Sequence, residues 1–239
     1  MRFLLRLPKL LLSLSRITFS PMENAHLFNP LDKRNLGKSV VDALLTSVEK
    51  PLASVENFIG AGVYAIYYRG DFSHYAPLTA LNKAAGKFPI YIGKAIPKGG
   101  RKGTALDASL DSIALSKRLQ EHAASIMSAS SLAIKDFTYR SLIVDDIWIT
   151  LGEAFVIQQF QPLWNQVVEG FGNHDPGSGR YSGKRPLWDE LHPGRSWATR
   201  CQPSKVTIAE LLIKVDQYMQ ALTARPRLID STQVASPSV

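Results

Sequence analysis

The chain holds a single cysteine, Cys201, so it can form neither an intrachain disulfide nor a zinc site built from several thiolates. A reducing, cytoplasmic location fits that scarcity. Its five histidines, His26, His74, His122, His174 and His192, are dispersed and lack the spacing of a ligand cluster. Any metal is therefore expected on oxygen ligands. Long apolar runs are missing as well. The leucine-rich opening, residues 1–20, is interrupted by Arg6, Pro8, Lys9 and Arg16. It is too short and too charged to span a bilayer, and no small-residue cleavage site follows it. Neither export nor a membrane partner is expected, and no internal repeat is visible.

Acidic residues are outnumbered, 20 Asp and Glu against 28 Lys and Arg, which leaves a formal net charge of +8. An excess of that size favours a polyanionic partner, because each neutralised phosphate releases counterions. Simple solubility is the plainer explanation of the same number. Apolar residues make up 45% and charged residues 20%, proportions of a folded globular chain rather than a disordered one.

Along the chain, the spacing of Val40, Val41, Leu44, Leu45 and Val48 predicts a helix that Pro51 ends. The run GVYAIYY, 62–68, is β-branched and aromatic and reads as a buried strand. A polar stretch, 72–86, has room for a short helix, and FPIYIG, 88–93, reads as a second strand. The segment KAIPKGGRKG, 94–103, reads as a cationic loop. A helix over 107–127 carries Leu115, Leu119 and Ile126 on one stripe. Phe137, Tyr139, Ser141 and Ile143 alternate as in a third strand. A helix over about 150–160 turns Val156, Ile157 and Phe160 inward, with Glu153 in its first turn, and Pro162 stops it. Residues 170–194 show no periodicity and are too many for a simple connector. An amphipathic helix over 204–222 precedes a loose end. The expected division is an extension over 1–21, with Met22 a candidate natural start, one domain over 22–222, and a tail over 223–239.

Several polar residues stand out against this background. Arg118 and His122 lie four apart, hence on one helix face, where a solvated surface is the ordinary explanation. Arginine can fork onto phosphate oxygens, and histidine can accept a proton near neutral pH or polarise a neighbouring phenol. Glu153, projecting from a rigid helix, can hold a divalent cation, though an acid in a first turn also simply complements the helix dipole. Tyr64 and Tyr91 sit on the two strands, where the default role of an aromatic is core packing. A free phenol has a pKa of about 10, so a base role at neutral pH needs cationic neighbours such as His122, Arg118, Lys94 or a metal.

Gly62-Val63-Tyr64, Tyr91-Ile92-Gly93, the Arg118/His122 pair, Glu153 and Asn165 follow one another in an order that resembles the GIY-YIG nuclease superfamily. The text around them, PIYIGKAIPKG, RLQEH, PLWNQVVEGFGNHDPGSGRY and LHPGR, looks most like its type II restriction endonuclease branch, over roughly 60–195. Val63 replaces the isoleucine of the family name, and 68–88 is longer than in compact members. The resemblance implies an α/β (α+β) domain: a small, mainly antiparallel three-stranded sheet flanked by helices, with extra terminal helices. It implies metal-dependent hydrolysis of double-stranded DNA with one Mg2+ on Glu153. Tyr64 would act as base or orienter of the attacking water, Tyr91 as a phosphate-contacting or orienting group, and Lys94 as a further phosphate contact. Asn165 would support the backbone. The branch further implies a homodimer acting on a short GC-rich palindrome, within a restriction-modification system.

DNA contacts are expected from Lys98, Arg101 and Lys102 and from Asn173, His174, Asp175, Arg180, Lys184 and Arg185. A homing or repair nuclease of the same superfamily would carry a separate DNA-binding domain, and none is visible. A basic DNA-binding module without catalysis would not need Tyr64, Arg118, His122 and Glu153 together. The dinucleotide fingerprint over 60–65 precedes a strand rather than opening a helix, GGRKGT lacks the phosphate-loop spacing, and 176–179 forms no nucleophile elbow.

Overall fold

The strand Gly62–Tyr68 is buried at all seven positions and forms the middle of the protein. Its side chains alternate between two sides, as the period of a strand requires. Tyr64, Ile66 and Tyr68 enter a large aromatic core, while Ala65 and Tyr67 enter a smaller aliphatic one. In this computed structural model, which describes residues 32–84, 86–97 and 112–224, the strands are β1 (Lys50–Pro51), β2 (Gly62–Tyr68), β3 (Tyr91–Ala95) and β4 (Phe137–Ile143). They form one antiparallel sheet in the order β1-β4-β2-β3. All three expected strands are present. The fourth, β1, is a two-residue addition that pairs Lys50 with Tyr139, where the sequence pattern pointed only to the end of a helix.

The helices are α1 (Lys33–Thr46), α2 (Ala76–Ala84), α3 (Ala114–Ser128), α4 (Asp146–Phe160), α5 (Leu163–Gln166), α6 (Leu187–Leu191) and α7 (Ile208–Ala224). Helices α1 and α4 cover one sheet face, where Gly152 of α4 lets Val40 and Val63 close in around it. The other face packs against α3, α5, α6 and α7 through Leu119, Trp164, Trp188 and Val215. Helix α1 stops at Thr46, which leaves Val48 outside it and 73% exposed. Strand β3 begins at Tyr91 rather than Phe88 and runs on to Ala95, carrying Lys94 within it.

The start of α4 matters most for the site. The Asp145 side chain accepts a hydrogen bond from the Ile147 amide and caps the helix. The helix thus begins four residues before the expected start. Glu153 is its eighth residue of fifteen, beyond the reach of a first-turn dipole effect.

Strand β3 is the outer strand of the sheet, and its free side is closed by the segment after α4. Asn165 accepts from the Ile92 amide at 2.8 Å and donates to the Ile92 carbonyl at 2.9 Å. The Trp164 amide takes the Ile90 carbonyl at 3.0 Å. Asn165 thus holds the backbone of β3 at Ile92.

Candidate active site

Where β3 ends, a cleft of about 900 Å³ opens around the sheet edge. Tyr64 and Tyr91 line it from one sheet face. Lys94 projects to the opposite face, level with Val63, and meets Glu153 of α4, its Nζ 2.7 Å from Oε2. Arg118 and Glu121 of α3 form a third wall, and His174 closes the fourth. Tyr64, Tyr91, Lys94, Arg118 and Glu153, far apart in the sequence, share this one space, while His122 is reached only through Tyr64 and Asn165 is not part of its wall.

Tyr64 can occupy its place because its cross-strand partner is Gly93. A Cβ at position 93 would stand 2.3 Å from the Tyr64 hydroxyl and 3.0 Å from the Tyr91 ring. The Tyr64 hydroxyl lies 2.6 Å from Nε2 of His122, and both groups are buried. Burial holds the His122 imidazole well below the usual histidine range, with the Arg118, His174 and Arg195 charges pushing the same way. With its proton on Nδ1, the neutral ring accepts at Nε2 and the Tyr64 hydroxyl donates. Burial also lifts the Tyr64 phenol well above the usual tyrosine range, followed by Tyr91, while Arg118 opposes the rise. A neutral His122 offers Tyr64 a proton acceptor, and Arg118 is the cationic neighbour that opposes the rise.

The His122 ring is stacked on Phe171 at 4.5 Å and 19°. The Tyr91 ring stands edge-on to His122 at 5.2 Å and to Phe171 at 4.9 Å. Burial raises the Tyr91 phenol too, with Arg118 opposing. Arg118 donates Nη2 to the Gly172 carbonyl at 2.6 Å and Nη1 to Glu121 at 3.1 Å, and it touches the His174 ring. Its fork is thus aimed from three directions before any substrate arrives.

Among the described residues no group of three or more His, Cys, Asp and Glu could hold a metal ion. A cation here would take one protein carboxylate, Glu153, and fill its other positions from water and substrate oxygens. Magnesium commonly binds in that way. Glu153 fits that use, being one-fifth exposed, in the cleft, and paired with a flexible lysine.

The expected DNA-contacting residues separate by placement. His174, exposed, lies in the cleft against Arg118 rather than on an outer loop. Asn173, Arg180 and Lys184 are exposed. Asp175 accepts from the Gly177 amide, the Tyr181 hydroxyl and Arg200, which pins the turn before Arg180. Arg185 is engaged inward, with Nε on the Ala198 carbonyl at 2.9 Å and Nη1 on Glu190 at 3.3 Å. Lys98, Arg101 and Lys102 lie outside the described residues, as do the extension over 1–21 and the tail from 225.

Three residues of the site carry no clear mark in the sequence: Glu121, Phe171 and Gly172. Glu121 sits three after Arg118, a spacing that brings the two side chains together on a helix. Phe171 and Gly172 lie in aperiodic chain, where no pattern identifies a carbonyl as a ligand.

An antiparallel sheet with paired tyrosines on adjacent strands, an Arg/His helix and one carboxylate opposite defines a nuclease of the GIY-YIG class. Over residues 56–219 the chain matches the model of the Eco29kI GIY-YIG domain, a restriction endonuclease family. The chain belongs to that family and is a restriction-type nuclease, a hydrolase that acts on DNA. No curated protein matches it. Among the described residues no helix is long and apolar enough to cross a membrane.

Proposed function

We propose that this chain is a type II restriction endonuclease that cuts double-stranded DNA at a short, GC-rich palindrome, as a homodimer with one Mg2+ per site. The observation that supports it best is the single cleft shared by Tyr64, Tyr91, Lys94, Arg118 and Glu153. Glu153 would hold the cation, which when bound would supply neutralising positive charge beside the scissile phosphate. Arg118 forks onto non-bridging oxygens, exchanging its His174 contact for phosphate while Nη2 stays on the Gly172 carbonyl. Lys94, drawn off Glu153, follows it to the phosphate.

The attacking water gives a proton to the Tyr64 oxygen as the Tyr64 proton passes to Nε2 of His122. No free phenolate is needed in that exchange, which suits a phenol whose pKa burial has raised. Tyr91 orients the water and phosphate from the neighbouring strand. Two copies related by a two-fold axis present one such cleft to each DNA strand. Arg180 and Lys184 lie on the exposed loop suited to base or phosphate contact.

The test is incubation of the purified chain with plasmid DNA and magnesium, followed by sequencing of the fragment ends. Discrete bands with one shared end sequence are expected. A smear refutes site specificity, and intact plasmid at every divalent metal tried refutes the nuclease mechanism. Sedimentation of the chain with and without a cognate duplex tests the dimer.

A further inference from the structure

Residues 170–173 run beside His122 and Arg118 as a strap without helix or strand structure. Phe171 of this strap stacks on His122, and the Gly172 carbonyl receives Arg118. The positions of two reacting side chains therefore depend on a piece of backbone that no helix or sheet ladder fixes. A turn, with the Asn173 amide on the Gly170 carbonyl at 3.0 Å, and the packing of Phe171 against Trp164 and Trp188 hold it in part. One buried side chain ties three of its carbonyls together. Arg195, 5% exposed, donates Nη1 to the Phe171 and Asn173 carbonyls and Nη2 to the Gly170 carbonyl, each at 3.0 Å. Its remaining reach goes to Asp189, with Nε on Oδ1 at 2.6 Å and Nη2 on Oδ2. Its guanidinium face lies 4.6 Å from the Trp188 ring and 4.7 Å from the Trp197 ring.

We propose that Arg195 is a positioning residue for DNA cleavage: by gripping three carbonyls of the strap it sets the Arg118 guanidinium and the His122 ring without meeting substrate. The proposal rests on the roles given above to Arg118 and His122. Arg195 is absent from the cleft wall, so it has no direct part in binding or proton transfer. The planar fork is what the position requires, since five fixed donors serve three carbonyls and a carboxylate at once. An ammonium is a point charge and cannot span that set. Asp189, itself buried, keeps the charge paired, which a lone buried guanidinium would need.

Two variants of the full chain test the idea. Arg195→Lys keeps a cation beside Asp189 but loses the fork. The double variant Arg195→Met with Asp189→Asn removes both charges together, so neither is stranded. The measurements are the folded fraction by circular dichroism, KM and single-turnover rate per folded molecule, and the His122 ring resonances by NMR. Expected are a KM within about 3-fold of wild type, a rate lower by roughly 10- to 100-fold, and shifted His122 resonances. A rate that falls only with the folded fraction, with the His122 ring unmoved, overturns the proposal. Should both variants lose their fold, Trp197→Leu, which removes one stacking ring at a half-buried position, gives the same readouts. If the wild-type chain cuts no DNA, the proposed function fails, yet the His122 resonances still decide whether Arg195 sets the ring.

Discussion

Glu153 and Tyr64 divide the chemistry between metal and proton, and their variants should fail differently. Glu153→Gln keeps the shape and removes the charge that a divalent cation needs. Plasmid cleavage should drop by at least about 1,000-fold while duplex binding stays within about 3-fold, measured by gel and by anisotropy. Tyr64→Phe removes only the hydroxyl that faces His122. Turnover should fall by about 100-fold or more, and wild-type turnover would remove Tyr64 from the proton path. His122 should declare itself through pH. It stays neutral below the usual histidine range, so the wild-type rate should be nearly flat between pH 7 and 9. In His122→Ala the rate should climb with pH, as hydroxide replaces the missing acceptor, and a flat profile would mean the ring only fills space. These side chains were legible through their order along the chain, which resembles the GIY-YIG superfamily, since each taken singly had a plainer explanation. Arg195 stands in the LHPGR segment that carries the resemblance, but its role was not legible, because most of its partners are backbone carbonyls, which every residue has.

Strand β2 could be read directly from GVYAIYY because both of its faces are buried and nothing polar interrupts the run. The start of α4 could not. Ile143-Val144 continues the strand pattern up to Asp145, and only the cap geometry shows that the aspartate opens a helix. Placing that start correctly moves Glu153 to mid-helix, where a metal role no longer competes with a dipole role. Strand β3 supplies the sharpest test at this level, because its glycine decides how close two strands' side chains come. Gly93→Ala would press a methyl group against the Tyr64 hydroxyl. The variant should lose about 1–3 kcal/mol in urea unfolding, with a drop in cleavage rate larger than the unfolded fraction explains. Equal loss in both would show that Tyr64 tolerates displacement.

Among the described residues two histidines, His122 and His192, are buried and held neutral, and this makes the protein sensitive to acid. Burial holds His192 at about 3, between the Tyr75 hydroxyl and the Ser131 hydroxyl, each at 2.7 Å. Below about 6.5 the unfolded chain takes up a proton that the folded chain refuses. Stability therefore falls as pH drops from 6.5 toward 3, by about 1.4 kcal/mol per unit for His192, and His122 adds to the fall in the same direction. Urea midpoints at pH 7.5 and 5.5 check this. His192→Gln should be less stable at pH 7.5 but should show a shallower decline, and parallel declines would refute the assignment.

The closure of β3 by Asn165 reaches beyond this cleft. A sheet margin with bare amides and carbonyls invites any extended peptide to add itself, and in a crowded cell the commonest candidate is another copy. One carboxamide, standing in for a neighbouring strand at Ile92, denies that foothold. Replacing Asn165 with leucine should therefore yield more than a weaker enzyme: a protein that clumps on standing, with thioflavin-positive material appearing where the wild type stays clear.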